Sequence, residues 1–419
     1  MRLLKRTDEA IKSARQAIAL DPVLPEAYAN LGAAQIDVDD FEGALETLKK
    51  AITLAPDNPL NFVNLTKVQI RLGLFESALS SAETAIDKAP ELPQAGNALG
   101  NAYYALNQFK EAETAYKKAM RYSPCDPELL GNLGNAIARQ HRLAEAEALL
   151  RESLKISPGD PTILTNLGGV LLQAGNFESS QNSFDKALEL KPDLPDAHWN
   201  RGLLRLLNGE FLTGFKDYEH RWLLPEFKKR HTEVRPWQGE NLSGKSILIY
   251  SEQGFGDTFQ FIRYATPLAE RGAKVYLETH MSLKHFLESS DVLEGVYGRG
   301  QPIPETDYQI PILGLPYQMA TTLDNIPADV PYLPIPPGMV IDRDGNGDFI
   351  IGIAWAGRPT HKNDANRSIL PSFLKPLFEL QGIDWVSLQI DERHDDAIDL
   401  GLPIKDLRPQ IDNFADTAA

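Results

Sequence analysis

Apolar and small residues recur through the first half of the chain with a period of 34 residues. Each period opens on a proline, and a leucine follows six residues later in all but the last period. A proline in the first helical turn sacrifices no backbone hydrogen bond and presets φ, so each proline marks a helix start. Small residues further along let a second, antiparallel helix approach closely. The pattern predicts six helical hairpins stacked as a solenoid. The prolines are Pro25, Pro59, Pro93, Pro127, Pro161 and Pro195.

The hairpins occupy residues 25–228, and residues 1–24 read as the second half of a further, partial unit. Ala10, Ala14 and Ala17 match the positions at which the complete units place small or apolar residues. The spacing resembles the tetratricopeptide repeat over roughly residues 1–228. This resemblance implies an α-solenoid.

An asparagine precedes the leucine position in five of the six hairpins, with Ala98 as the exception. Asparagine is a poor residue for a helix interior, so packing alone does not explain the column. On the first helix of each hairpin the column is expected to line the concave groove. There it resembles the asparagine ladder of O-GlcNAc transferase repeats, whose amides hold a peptide in extended form. The column comprises Asn30, Asn64, Asn132, Asn166 and Asn200.

A side-chain amide both donates and accepts, and it therefore suits a peptide bond whatever side chain that peptide residue carries. The column predicts an extended peptide or protein partner in the groove. The alternative is that each asparagine bonds to the neighbouring repeat and only supports the stacking.

The 34-residue period stops after Trp222. Residues 229–244 are polar and turn-rich, as in a linker. A strand at 246–251, a helix from Thr258 to Arg271 and a strand at 274–278 then form a parallel βαβ unit.

A second such unit begins after Asp348 with the strand FIIGIAWAG, the helix PSFLKPLFEL and the strand IDWVSLQI. We therefore expect two Rossmann-like halves, at 245–340 and 348–419, with a cleft between them.

Gly254 and Gly256 precede the first helix of this half, where free backbone N–H groups favour anions. Glu278 ends the next strand, at the place where a dinucleotide-binding fold carries its ribose-binding acid. Phe259 stands where the third glycine of that fingerprint belongs, and it would block the close approach of helix and strand. The sequence therefore argues against NAD binding.

The segments EQGFGDTFQFIRY and GIAWAGRPTHKNDANRS, with SLQ downstream, resemble the glycosyltransferase domain that follows tetratricopeptide repeats in many bacterial proteins. That domain is similar to the heptosyltransferases of glycosyltransferase family nine, which have the GT-B fold. The resemblance covers about residues 245–419 and implies transfer of a hexosyl or heptosyl group from a nucleotide sugar to an acceptor hydroxyl. Asp257 matches the aspartate proposed in that family as the base. The alternative is that Asp257 only caps the helix beginning at Thr258.

A basic loop follows the first strand of the second half, in a chain that is otherwise acidic. Arg358, His361, Lys362 and Arg367 fall within it, at the end of a parallel strand where α/β folds bind anions. Together with Ser368, which would cap the next helix, Arg358, Lys362 and Arg367 are the candidates for binding the donor diphosphate. The alternative is a solvated loop that pairs with the acidic stretch Asp391–Asp399.

Charge and composition exclude several classes of function. There are 58 acidic and 42 basic residues, for a formal net charge of −16, which disfavours nucleic acid as a partner. The single cysteine, Cys125, and the scattered histidines predict no metal site. The sequence has neither a long apolar run nor the apolar stretch of a signal peptide, so we expect a cytoplasmic protein without a membrane span and without a cofactor.

The related family carries an Asp-Thr…His-Leu-Ala-Gly motif after these segments, and this motif grips the nucleotide donor. The present sequence ends at DNFADTAA. We therefore expect a truncated GT-B-type domain with an incomplete donor site, in a fragment of a longer glycosyltransferase. The rival hypothesis is a non-catalytic scaffold for protein–protein interaction.

Overall fold

The computed structural model describes residues 2–225, 227–333, 349–357, 364–411, 414 and 416. The chain divides into two compact units, Met1–Phe227 and Lys228–Ala419. Within the described residues, no helix combines the length and the hydropathy needed to cross a bilayer.

The first unit is helical throughout its described part. Helix α1 precedes the hairpins and contacts α2, and each later pair forms one hairpin whose two helices contact each other. The helices are α1 Arg2–Leu20, α2 Pro25–Asp37, α3 Phe41–Leu54, α4 Pro59–Arg71, α5 Phe75–Lys88, α6 Pro93–Ala105, α7 Phe109–Met120, α8 Pro127–Ala138, α9 Leu143–Ile156, α10 Pro161–Gln173, α11 Phe177–Leu190, α12 Pro195–Leu207 and α13 Phe211–Tyr218.

Every predicted proline is the first residue of a helix, which confirms the solenoid of helical hairpins. Side chains reinforce some of these starts: Asp126 and Asp160 each accept two backbone N–H bonds from the helix that follows. A glycine follows the leucine position in five of the six hairpins, and close packing explains it. A Cβ added to Gly168 would lie 2.5 Å from the Phe184 ring, and one added to Gly100 would lie 2.2 Å from the Tyr116 ring.

The small residues of the second helices form the core of the array. Ala44, Ala78, Ala112, Ala146 and Ser180 are completely buried. Their size lets neighbouring helices approach, and larger side chains such as Leu48 and Leu150 fill the remaining space.

The second unit contains a parallel four-stranded sheet in the order β3-β2-β1-β4. Its strands are β1 Ser246–Tyr250, β2 Lys274–Thr279, β3 Gly295–Gly298 and β4 Tyr308–Pro311. The helix predicted from Thr258 to Arg271 is instead divided into α14 Phe255–Phe261, a 3₁₀ turn Ile262–Tyr264 and α15 Ala265–Glu270. Helices α16 Met281–Leu287 and α17 Leu315–Gln318 complete the described connections.

The polar segment 229–244 belongs to this second unit. Trp237 and Leu242 are almost fully buried, and the backbone N–H of Trp237 donates to the Gln309 carbonyl of β4 at 2.9 Å. Two apolar side chains anchor a segment whose average composition is typical of a linker.

A second parallel sheet has the order β5-β6-β7, with β5 Phe349–Ile353, β6 Ile383–Ser387 and β7 Lys405–Asp406. Two short helices, α18 Asp364–Arg367 and α19 Asp395–Asp399, lie near it in sequence. The segment PSFLKPLFEL, expected to be an α-helix, is a 3₁₀ helix over Pro371–Glu379. Pro376 inside it has no N–H for an α-helical hydrogen bond.

Candidate functional site

The asparagine column lies on the first helices of the hairpins. Successive first helices contact one another, for example α4 with α6 and α10 with α12, so equivalent positions on them form one continuous surface. At the start of the array, Glu26, Asn30, Ala33 and Asp37 line a cavity of about 680 Å³ between α1 and α2. We call the continuous surface of the first helices, with the asparagine column at its centre, the amide face.

Two members of the column have structural partners. The Asn132 side-chain amide donates to Asn97 Oδ1 of the preceding repeat at 2.9 Å, and Asn97 in turn donates to Glu128. Asn200 donates to the Asp196 carbonyl of its own helix at 2.8 Å. The Asn132 bond fits the alternative in which an asparagine supports the stacking of neighbouring repeats. The Asn200 bond lies within its own helix.

The other three members retain their hydrogen-bonding capacity. Asn30 is exposed, and Asn64 and Asn166 are half-buried. None of the three side chains forms a hydrogen bond with any residue in the described part of the chain. An unpaired amide at a half-buried position offers both a donor and an acceptor to a ligand.

Sequence reasoning missed two further asparagines on this face, Asn101 and Asn135. Each lies one helical turn beyond the column position, and a helix-interior asparagine was the available signal. Asn101 Oδ1 accepts the Tyr116 hydroxyl at 2.6 Å, and burial raises the pKa of Tyr116, so this phenol remains a donor. The Asn101 NH₂ group thus keeps its capacity to donate. The side chain of Asn135, like that of Asn166, bonds to none of the described residues.

The candidate base, Asp257, is the third residue of α14 rather than the residue before a helix. Its Oδ2 accepts the Gly254 N–H at 2.9 Å, so the carboxylate caps the start of α14. Gly254 and Gly256 are exposed, and a Cβ added to Gly256 would meet no atom within 4 Å. Glu278, at the end of β2, is buried and accepts hydrogen bonds from Arg230 and His231. Its carboxylate is therefore engaged within the protein rather than open to a ribose.

The basic-loop candidates are only partly within the described residues. Arg358 and Lys362 lie outside them, as does His361. Arg367 is exposed, and its side chain forms no hydrogen bond or ion pair with a described residue. Ser368 Oγ accepts the Gly357 N–H at 3.0 Å and an Arg393 N–H at 2.9 Å, and it donates to Asp364 at 2.7 Å. These bonds tie the loop to the region of α18, and Arg393 pairs with Asp364 there.

A polar cluster lies at the end of the array, where Arg201 occupies the leucine position of the last repeat. Asp217, which is buried, accepts from Arg201 at 2.7 Å, from Arg205 at 2.8 Å and from His198 at 3.0 Å. The rings of His198 and His220 stack at 3.7 Å. In the described part of the chain, His198, Asp217 and His220 are close enough to surround an ion. Two guanidinium groups already neutralise that carboxylate, so the cluster does not suit a metal cation.

Ser387, His394 and Asp406 resemble a hydrolase triad in residue type only. Ser387 Oγ lies 2.6 Å from His394 Nδ1, and His394 Nε2 lies 3.4 Å from Asp406 Oδ2. Ser387 and His394 are completely buried. Burial of the Ser387 hydroxyl among the described residues does not fit a nucleophile that must contact a substrate.

A comparison with known protein families agrees with the helical repeat fold of the first unit. Residues 2–207 match the family model described as the cilia and flagella-associated protein 70 C-terminal domain, a tetratricopeptide repeat family. No curated protein matches the chain.

Several solved structures are similar to part of this chain. TTC0263, a thermophilic tetratricopeptide repeat protein from Thermus thermophilus, is 24% identical with a TM-score of 0.42, covering 44% of this chain and 100% of its own. A repeat protein from Parabacteroides merdae is 18% identical with a TM-score of 0.44, covering 54% and 88%. Pseudomonas aeruginosa pilF is 17% identical with a TM-score of 0.39, covering 48% and 92%.

The repeat period, the hairpin packing and the family match over residues 2–207 together identify the first unit as a tetratricopeptide repeat array. This array is followed by an α/β unit that lies beyond the residues of the family match.

Proposed function

We propose that this protein is a non-catalytic scaffold that binds an extended segment of a partner protein across its amide face. The observation that carries this proposal is that three half-buried amides on first helices bond to none of the described residues: Asn64 on α4, Asn135 on α8 and Asn166 on α10. Asn132 and Asn200 of the asparagine column are instead engaged within the protein.

The spacing of these amides suits an extended chain. Packed helices lie about 8–10 Å apart, and an extended chain advances about 3.3 Å per residue. One amide per repeat therefore meets about every third peptide bond of the partner. Hydrogen bonds of this kind fix the direction and conformation of the partner's backbone and depend little on the partner's side chains.

Charges of both signs occur on or beside the first helices, in keeping with recognition through the backbone. Lys67 on α4 and Arg139 directly after α8 are positive, whereas Glu26 and Glu128 are negative. The Arg139 guanidinium also stacks over the Phe109 ring, 4.4 Å from its centroid. Hydrogen bonds to the peptide backbone are therefore expected to contribute more affinity than ionic attraction.

The test starts from peptides selected against the full chain from a library of unstructured sequences. Replacing Asn64 and Asn166 by Ala should weaken binding roughly tenfold, since each lost hydrogen bond contributes about 0.5–1.5 kcal/mol. The melting temperature should not change, because neither amide has a partner among the described residues. Affinity is measured by fluorescence anisotropy and melting by circular dichroism.

Two controls make this result specific. Asn182→Ala removes an exposed asparagine from the second helix of the same repeat as Asn166 and should leave the affinity unchanged. Asn132→Ala removes an inter-repeat hydrogen bond and should lower stability. Unchanged peptide affinity in the Asn64/Asn166 variant would refute the amide-face proposal.

A second candidate concerns the α/β unit: transfer of a sugar from a nucleotide-sugar donor to an acceptor hydroxyl. It is favoured by a parallel sheet with Gly254 and Gly256 after the central strand β1 and open space beside Gly256. In this candidate Asp257 acts as the base on the acceptor. Arg358, Lys362, Arg367 and Ser368 remain the residues proposed for the donor diphosphate.

A further inference from the structure

Two guanidinium groups meet at the carboxyl end of β1. Arg230 Nη2 and Arg299 Nη2 both donate to the Ser251 carbonyl, at 2.5 and 2.9 Å, and Arg299 Nη2 also lies 3.3 Å from the Glu252 carbonyl. Arg230 comes from the segment before β1 and Arg299 directly follows β3. The fold thus brings two like charges to one carbonyl group.

The carboxylates around this pair do not balance it fully. Buried Glu278 accepts from Arg230 and is shared with His231, while Glu233, largely exposed, lies 3.8 Å from the far side of His231. Burial lowers the pKa of Arg299, and the charge of Arg230 lowers it further. The charge of Glu278 raises the pKa of Arg299 by less than the charge of Arg230 lowers it, so positive charge predominates beside Arg299.

Arg299 has unused donors and a fixed position. Its backbone N–H bonds to the Thr279 carbonyl at 2.9 Å, which anchors it beside the end of β2. Its Nε and Nη1 groups bond to none of the described residues, and the side chain remains exposed. These two groups lie on different edges of the guanidinium, because Nη2 is already engaged with the two carbonyls, and each can donate one charge-assisted bond to a phosphate or carboxylate oxygen.

We propose that Arg230 and Arg299 form a binding site for the phosphate group of a small molecule at the carboxyl edge of the four-stranded sheet. This is the edge at which parallel α/β sheets bind their ligands. Arg299 supplies the unused Nε and Nη1 donors, and Arg230, held by Glu278, supplies the second positive charge. The site is separate from the amide face and does not involve Asp257 or the basic loop.

The experiment titrates the full chain with inorganic pyrophosphate, inorganic phosphate and ADP by calorimetry, at ionic strength held constant with sodium chloride. Arg299→Gln should weaken pyrophosphate binding about tenfold or more, because charge-assisted hydrogen bonds are lost. Arg299→Lys keeps the charge but not the guanidinium N–H groups, and it should lie between Arg299→Gln and the wild type. Tighter binding of ADP than of the inorganic anions would identify the ligand as a nucleotide; equal binding would identify the phosphate group alone.

Arg271→Gln is the matched control, since Arg271 is an exposed arginine of the same unit that takes no part in the contacts of the Arg230–Arg299 pair. It should leave pyrophosphate affinity unchanged. The proposal is overturned if the wild type binds none of the three anions with a dissociation constant below about 10 mM. It is also overturned if Arg299→Gln and Arg271→Gln weaken binding equally, because binding would then reflect surface charge alone. If Arg299→Gln lowers the melting temperature, the proposal is judged on Arg299→Lys instead: weaker pyrophosphate binding than the wild type supports it, and equal binding contradicts it.

Discussion

At the scale of single residues, the side chains of Asn132 and Asn166 occupy equivalent positions in neighbouring repeats but differ in their bonding. Asn132 reaches Asn97 across the repeat boundary because the preceding repeat carries an asparagine there. The residue preceding the column position in repeat 4 is Gly131, which offers Asn166 no such partner. The role of each asparagine is therefore set by its neighbour in the adjacent helix.

Asp217 provides a prediction at this scale. Replacing Asp217 by Asn should destabilise the last repeat by about 3 kcal/mol, because a buried carboxylate with two arginine partners is lost and their charges stay behind. Asp185→Asn is the control: Asp185 is 40% exposed and pairs with Arg201 at the surface, so its loss should cost less than about 1 kcal/mol. Urea unfolding followed by circular dichroism measures both.

The same pair of variants gives a pH dependence. Burial alone would raise the pKa of Asp217, but hydrogen bonds from Arg201 and His198 outweigh it and hold the pKa below its ordinary value. The stabilisation is therefore complete above the unfolded-state pKa of about 4 and is lost as the pH falls through the folded-state value. The stability gap between the wild type and Asp217→Asn should shrink below about pH 4. A gap independent of pH would contradict this ionic role.

At the scale of secondary-structure elements, each hairpin depends on how closely its two helices approach. Adjacent glycines on α10 show the distinction. A Cβ on Gly168 would collide with the Phe184 ring at 2.5 Å, whereas a Cβ on Gly169 would meet no atom within 4 Å. Gly168 is needed for the approach of α11, and Gly169 is not needed for any packing contact within the described residues.

Substitution of these glycines by alanine should therefore have opposite effects. Gly168→Ala should destabilise the array by about 1–3 kcal/mol through overpacking. Gly169→Ala should stabilise it by up to about 1 kcal/mol, because alanine is the better helix former. Thermal and urea unfolding of the two variants make the comparison. Equal effects of the two substitutions would show that the contact with Phe184 does not limit the hairpin.

At the scale of the whole molecule, a repeat array and an α/β unit occur in one acidic chain. The array has a surface suited to binding a partner. In the α/β unit, Asp257 has a structural role as a cap, and the sugar-transfer candidate assigns it a second role as a base.

Asp257→Asn separates these roles, since asparagine keeps an oxygen that accepts the Gly254 N–H but accepts no proton at neutral pH. The full chain is assayed for consumption of nucleotide sugars with an acceptor, together with its melting temperature. If Asp257 is a base, the substitution should lower turnover by roughly 10²–10⁴ and leave stability unchanged. Full activity in the Asp257→Asn variant would show that Asp257 is only a cap, and absence of any wild-type turnover would favour the scaffold.

Much of the first unit could be predicted from the sequence because the controlling interactions are local and repeat 34 residues apart. The recurring prolines start helices, and small residues mark close helix contacts in every hairpin. The helix predicted from Thr258 to Arg271 was wrong in its start and in its continuity. The structure begins α14 at Phe255, where the Asp257 carboxylate accepts the Gly254 N–H, and a 3₁₀ turn follows α14. The hydrophobic periodicity of the sequence reveals neither feature.

The sequence by itself determined that the chain contains a tetratricopeptide array and where the first helix of each hairpin begins. Only the tertiary structure decided which asparagines are unpaired, that Arg230 and Arg299 share one carbonyl, and that Trp237 is buried against β4. The physical reason is the range of the interactions. Helix starts depend on neighbours within one turn, whereas hydrogen-bond partners and buried contacts depend on which distant segments the folded chain brings within a few ångströms.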